Sequence, residues 1–193
     1  MTHETRRTAI TETTAPPRPL PGDRQPDRDA MIRVDHAGEY GAVRIYAGQM
    51  AIFGDKHRKS GLIRHMKAQE DAHLARFNRL IGERGVRPTL LQPFWHVAGF
   101  ALGAGTALMG EKAAMACTQA VETVIDDHYQ EQRDQLAGSD AELEEIIEDF
   151  QAEEVEHKKI AEAHGANEAP GHPVLSGLIK AGCRAAIAVA RRL

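Results

Sequence analysis

The chain has 193 residues, a formal net charge of −4, 5% aromatic residues and two cysteines. That length suits one domain with a sizeable core, and the mild negative charge gives no reason to expect nucleic acid as a partner. Cys117 and Cys183 lie far apart with no metal-ligand spacing, so a reducing compartment is the expectation.

Residues 1–28 are rich in Thr, Arg and Pro and lack apolar periodicity, which predicts a disordered lead-in. The stretch has no apolar h-region, so it is not read as a secretory signal, and its acidic residues argue against a mitochondrial presequence. From residue 29 to 193 abundant Ala and scarce β-branched runs predict a single all-helical domain.

The first helix carries Ile32, Asp35, Glu39, Val43, Tyr46, Met50 and Phe53 at core spacing, and Gly54-Asp55 ends it. Ser60 is the expected cap of the second, whose stripe is Leu62, Met66, Glu70, His73, Phe77 and Leu80, closed by Gly82 and Gly85. Two positions that should be apolar are thus a carboxylate and an imidazole. Pro88–Gly110 follows without a single Asp, Glu, Lys or Arg. As a helix it reaches about 35 Å, nominally a bilayer span, but Gln92, Pro93, His96 and its glycines make a poor one. It is expected to be the crossover that carries the chain back along a bundle, lying at a membrane interface with Phe94 and Trp95 as anchors.

The next helix places Met115, Thr118, Glu122, Ile125, Tyr129, Gln132 and Leu136 on one face and stops at Gly138. Ser139-Asp-Ala-Glu142 reads as a capping box for the fourth bundle helix, whose stripe is Ile147, Phe150, Glu154, His157 and Ala161, with Gly165 as its stop. His128 and the acidic run from Asp140 to Glu156, apart from Glu154, are expected to form a solvated face. In the tail Leu175, Leu178, Ile179, Cys183, Ile187 and Ala190 form an apolar stripe beside Lys180, Arg184, Arg191 and Arg192, an amphipathic C-terminal helix.

The halves repeat. Of the ten histidines only His73 and His157 have a Glu three residues earlier. Glu39-x6-Tyr46-x2-Gln49 is matched by Glu122-x6-Tyr129-x2-Gln132, and each set precedes its Glu-x-x-His motif by one helix and a turn. A duplicated helical hairpin joined by one long crossover predicts a ferritin-like four-helix bundle. Its core would hold Glu39, Glu70, His73, Glu122, Glu154 and His157. Four buried carboxylates without partners would each cost several kcal/mol, whereas two divalent cations cancel their charge. One imidazole per metal and no thiolate disfavour structural zinc, calcium and magnesium and favour a dinuclear iron or manganese site. Tyr46 and Tyr129 lie two turns beyond Glu39 and Glu122 and are candidates to line the cavity or, equally, to pack with the hydroxyl bonded to a carboxylate. Asp35, Asp126 and Glu153 are candidates to accept the second N–H of the histidines.

"RVDHAGEYGAVRIYAGQ", "EDAHLARF", "AVETVIDDHYQEQ", "EEVEHKKIA" and "AGCRAAIAVARRL" together resemble the demethoxyubiquinone hydroxylase family of ubiquinone biosynthesis, from about residue 30 to the C-terminus. The resemblance implies a di-iron monooxygenase with Glu39, Glu70, His73, Glu122, Glu154 and His157 as iron ligands and Tyr129 in the position of the family's tyrosine after a histidine. It implies ring hydroxylation of a polyprenylated demethoxybenzoquinol with O2 and an external two-electron donor, NADH being a candidate. It also implies a peripheral protein on the cytoplasmic side of a bacterial inner membrane, with a biosynthetic complex and a homo-oligomer as candidate assemblies. A ferritin-like Fe(II) oxidase would use the same six ligands, and a membrane-bound scaffold would keep the amphipathic segments; these are the rival readings. No Gly-x-Gly-x-x-Gly turn follows a strand, so no Rossmann domain is expected.

Overall fold

The computed structural model describes residues 27–193. The lead-in predicted for residues 1–28 lies outside the described residues except for Asp27 and Arg28, which open the first helix. The elements are α1 (Arg28–Phe53), α2 (Ser60–Arg84), α3 (Gln92–Leu108), α4 (Glu111–Leu136), α5 (Ala141–Ala163), a 3-10 turn (Ala166–Glu168) and α6 (His172–Ala190). No strand occurs among the described residues.

Local chemistry sets the boundaries. The Asp27 carboxylate accepts from the Ala30 amide at 3.0 Å and starts α1, and Gly54 ends it at φ 67°. Gly85 ends α2 in the left-handed region, while Gly82 stays helical. Two capping expectations need correction. Ser60 lies inside α2 and its hydroxyl donates back to the Gly54 carbonyl, tying the α1–α2 turn rather than capping α2. The cap of α5 is Asp140, not Ser139: the Asp140 carboxylate accepts from the Leu143 amide and is held by Arg84, and Glu144 rather than Glu142 reaches back, to the Gly138 amide. An ionised acceptor already fixed by a guanidinium outcompetes the neighbouring hydroxyl.

Helices α1 and α2 form one antiparallel hairpin, with His36 against Asn78 at one end and Tyr46 against Met66 at the other. Helices α4 and α5 form the second, with Gln119 bonded to Glu162 and Arg133 to Gln151. The helix that joins them in sequence, α3, packs on the outside of α1 and runs parallel to it. A Cβ on Gly103 would fall 1.9 Å from the Ile45 carbonyl oxygen, and one on Gly48 would fall 2.2 Å from that of Phe100. Two helices can approach this closely only where both carry glycine. The glycines that spoil α3 as a membrane span therefore pack it on the bundle. Its other face, including Phe94, Val97 and Leu108, is exposed. Trp95 is not an outward anchor: it is half-buried and packs with Val34, Ala37 and Ala190.

Helix α6 packs on α4 and α1 through Ser176, Ile179 and Ala190 and exposes Val174, Leu178 and Val189. Among the described residues it is the one helix long and apolar enough to cross a membrane. Two apolar clusters fill the bundle ends. Ile32, Phe77, Leu80, Leu136 and Ile147 pack at one, and Ile63, Met66, Met115 and Ala161 at the other. The predicted polar positions lie between them.

Candidate metal centre

Each of the four bundle helices brings its predicted residues to one place: Glu39 from α1, Glu70 and His73 from α2, Glu122 from α4, Glu154 and His157 from α5. All six are buried. Their donor atoms form two overlapping groups, Glu39–Glu70–His73–Glu154 and Glu70–Glu122–Glu154–His157, within each of which the atoms lie within 4.8 Å of one another. Glu70 and Glu154 belong to both. The duplicated sequence has folded into a pseudo-two-fold cage whose two central carboxylates are shared and whose outer ones, Glu39 and Glu122, are not.

The cage atoms face one another without pairing well. His73 Nδ1 stands 3.3 Å from Glu39 Oε2 and 3.1 Å from Glu154 Oε1, and His157 Nδ1 stands 3.1 Å from Glu70 Oε1. Yet Glu39 Oε2, Glu70 Oε1, Glu154 Oε1 and His73 Nδ1 have no hydrogen-bond partner, because these contacts lie off the donor direction. Burial pushes the Glu70 and Glu122 carboxyls well above the ordinary range, and repulsion from Glu154 adds to it. Burial also raises Glu39. Burial alone would lower His73, but the carboxylates of Glu154 and Glu39 hold it up at about 10. For Glu154 burial acts upward, and the His157 and His73 rings overcome it and bring the carboxyl below its usual value. These are the marks of a pocket short of positive charge. His157 Nδ1 finds Glu154 Oε2 at 3.0 Å; the unpartnered oxygens of Glu39, Glu70 and Glu154 and the unpartnered His73 Nδ1, buried together without thiolate, fit two divalent cations of the iron or manganese type.

The tyrosines close the cage crosswise. Tyr46 of α1 donates to Glu122 at 3.2 Å, and Tyr129 of α4 donates to Glu39. Burial and the neighbouring carboxylates push both phenols well up, so they remain donors. Beyond the cage, Glu153 Oε2 lies 3.3 Å from His73 Nε2, so of the three candidate acceptors Glu153 is the one in place. Asp35 instead meets His128 at 3.2 Å and Gln132 at 2.8 Å, and Asp126 accepts from Gln151. The expectation that His128 is solvated is wrong: it is buried against Asp35. Its helical position next to Tyr129 was the available sign, because a residue adjacent to a core stripe is buried where a neighbouring helix brings it a partner, here Asp35 of α1.

A groove of about 630 Å3 opens between α3 and α6. Phe94, Leu102, Ile125, Leu175 and Leu178 give it apolar walls, and Glu39 and Tyr129 lie at its inner end. Tyr46 does not line it. A smaller, polar pocket of about 560 Å3 lies between α2 and α5 and reaches Gln69, His73 and Glu153.

Residues 26–190 match the family model described as "Ubiquinone biosynthesis protein COQ7". The chain is similar to the 3-demethoxyubiquinol 3-hydroxylase of Rhodospirillum rubrum, with 56% identity over 90% of this chain and 83% of that protein. It is similar to the Homo sapiens protein named NADPH-dependent 3-demethoxyubiquinone 3-hydroxylase, mitochondrial, with 52% identity over 86% of this chain and 77% of that protein. To the Saccharomyces cerevisiae 5-demethoxyubiquinone hydroxylase, mitochondrial, the identity is 42% over 86% of this chain and 78% of that protein. The chain belongs to the family of ubiquinone biosynthesis protein COQ7.

Proposed function

We propose that this chain is a 3-demethoxyubiquinol 3-hydroxylase, a di-iron monooxygenase that adds a hydroxyl to the ring of a polyprenylated demethoxybenzoquinol. The observation that carries the reading is the apolar groove between α3 and α6, which ends at Glu39 and Tyr129 beside the cage. An isoprenoid tail fits its walls, and the quinol ring then lies against the metal ligands. A ferritin-like Fe(II) oxidase would use the same cage, but its hydrated substrate has no use for such a groove.

In this reading Glu39, Glu70, His73 and Glu154 would hold one iron and Glu70, Glu122, Glu154 and His157 the other. When bound, the pair would supply the redox chemistry by which O2, two electrons and two protons convert a ring C–H into C–OH with release of water. The protein's part is positional. The groove excludes water and aligns the ring, Tyr129 donates a hydrogen bond to Glu39 where the groove meets the cage, and the clusters at either bundle end fix the helices that carry the ligands.

The exposed apolar residues of α3 and α6, flanking the groove and accompanied by Arg184, Arg191 and Arg192, suit a protein seated on the cytoplasmic leaflet of a bacterial inner membrane. The buried contacts of α6 with the bundle favour lying on the membrane over crossing it. The deciding experiment is reconstitution with iron, a reductant such as NADH, O2 and a short-chain demethoxyquinone, followed by mass analysis of the ring. Gain of one oxygen atom drawn from O2 supports the reading; rapid Fe(II) oxidation with an unaltered ring would replace it with the iron oxidase.

A further inference from the structure

The duplicated motifs extend one residue further than Glu-x-x-His. Gln69 precedes Glu70, and Glu153 precedes Glu154. Each reaches across the bundle to the histidine of the other motif. Glu153 Oε2 lies 3.3 Å from His73 Nε2, Gln69 Oε1 lies 3.1 Å from His157 Nε2, and Gln69 Nε2 donates to the same Glu153 oxygen at 2.7 Å.

The chemistry of the four groups leaves one arrangement of the Nε2 protons. A carboxylate only accepts, so His73 must present Nε2–H to Glu153, and the Gln69 amide must turn its NH2 to Glu153. The amide oxygen is then left for His157, which must also carry its proton on Nε2. With Nε2 protonated on both rings, each would offer its Nδ1 lone pair to a metal held in the cage; without metal the same nitrogens face the carboxylates of Glu39, Glu154 and Glu70. We propose that Glu153 fixes the tautomer of both cage histidines, directly for His73 and through Gln69 for His157, and makes them unequal donors. His73 leans on a carboxylate and His157 on a neutral amide, so His73 is the more basic ligand. It belongs to the ligand group that contains Glu39, the carboxylate at the end of the groove. The pseudo-symmetry of the cage is thus broken on the side that faces the groove. Glu153 and Gln69 border the open polar pocket between α2 and α5, so the Glu153 charge stays hydrated while it acts on buried rings. Both are positioning residues.

The inference rests on the dimetal reading, and Zn(II), a diamagnetic stand-in, tests the two separately. In zinc-loaded protein with labelled histidine, NMR is expected to show both rings protonated on Nε2, with the His73 proton further downfield. Glu153→Gln should move the His73 signal upfield and weaken zinc binding at one of two steps by about tenfold or more. The exchange Gln69→Glu with Glu153→Gln rebuilds the bridge in the opposite sense and should restore affinity while reversing the order of the two signals. Equal signals in the wild type, or a His73 signal unmoved by Glu153→Gln, overturn the inference. Binding of fewer than two zinc ions per wild-type chain overturns the dimetal reading beneath it.

Discussion

Glu39 on α1 accepts a hydrogen bond from Tyr129 on α4, and that bond joins the cage to the inner end of the apolar groove. Its counterpart, Tyr46 to Glu122, is sealed in the core on the other side of the pseudo-two-fold. Removing either hydroxyl leaves a buried carboxylate oxygen short of one donor, at a cost of about 1.5–3 kcal/mol. Tyr129→Phe and Tyr46→Phe are therefore expected to lower thermal stability to a similar degree. Only Tyr129→Phe should also slow quinol turnover, because only Tyr129 meets the groove. Parallel melting curves and turnover assays check this; equal losses of turnover would mean that the groove is not the substrate's route.

The sharing of Glu70 and Glu154 between the two ligand groups separates them from Glu39 and Glu122. Glu70→Ala and Glu154→Ala each withdraw a ligand from both metals and should reduce iron to near zero. Glu122→Ala withdraws one from a single metal and should leave about one iron per chain, judged from the ligand counts that dinuclear bundle sites need. Iron analysis after desalting reads this directly. A Glu70→Ala, Glu154→Ala chain that keeps two irons would show that the cage is not the metal site.

Metal removal should make stability depend on pH with a definite sign. Glu39, Glu70 and Glu122 are raised above their ordinary value of 4.5, chiefly by burial. As pH rises from 4.5 the unfolded chain releases these protons while the folded chain keeps them, so stability falls. His73, held at about 10 against an ordinary 6.5, contributes stability that is full below 6.5 and is lost as pH rises through about 10. Glu154, lowered by the histidines, works the other way and loses its contribution only in stronger acid. Iron-free protein is thus expected to melt at a higher temperature near pH 5 than near pH 8, and iron loading should remove most of the difference. Calorimetry at both pH values with and without iron tests it; an iron-free chain that gains stability toward alkali contradicts the electrostatics of the cage.

Much of this was legible in the sequence because duplication supplies its own control. Glu70 and His73 interrupt an apolar stripe, and Glu154 and His157 do so at the matching place, so the bundle and all six cage residues could be read from spacing. The pairing of Tyr46 with Glu122 and of Tyr129 with Glu39 could not, because it crosses between halves and depends on the register of α1 against α4. His128 was misjudged because helical periodicity reports one buried face, and the partner that buries it, Asp35, comes from the neighbouring α1. The packing role of the α3 glycines was not legible: composition shows only that they weaken a membrane span, and the path of α1 past Gly103 is needed to reveal a packing surface.

That packing surface can be tested. Gly103→Ala drives a methyl group onto the Ile45 carbonyl, where backbone must yield on both sides. The cost should be at or above the upper end of the roughly 1–3 kcal/mol typical of core over-packing. Gly105, two residues on, has nothing within 4 Å of an added Cβ. Gly105→Ala should instead add about 0.5–1 kcal/mol through helix propensity. Denaturant titration of the pair decides whether α3 is held on α1 as described; equal effects would mean that it is not.

The groove's rims make the last prediction. Phe94 on α3 is 59% exposed and Leu178 on α6 is 69% exposed, and both also line the groove between the helices. Burying two such side chains in a bilayer interface contributes on the order of 3 kcal/mol or more. Phe94→Ser with Leu178→Ser should therefore weaken binding to anionic vesicles by about a hundredfold, since each 1.4 kcal/mol is a factor of ten. Turnover of a long-chain quinol presented in those vesicles should fall with it. Neither residue touches the cage, so iron content and the rate of Fe(II) oxidation should stay near wild type. An enzyme whose substrate comes from water would show no loss of turnover. A double variant that still binds vesicles and converts long-chain quinol at the wild-type rate would place both the membrane face and the substrate entrance elsewhere on the bundle.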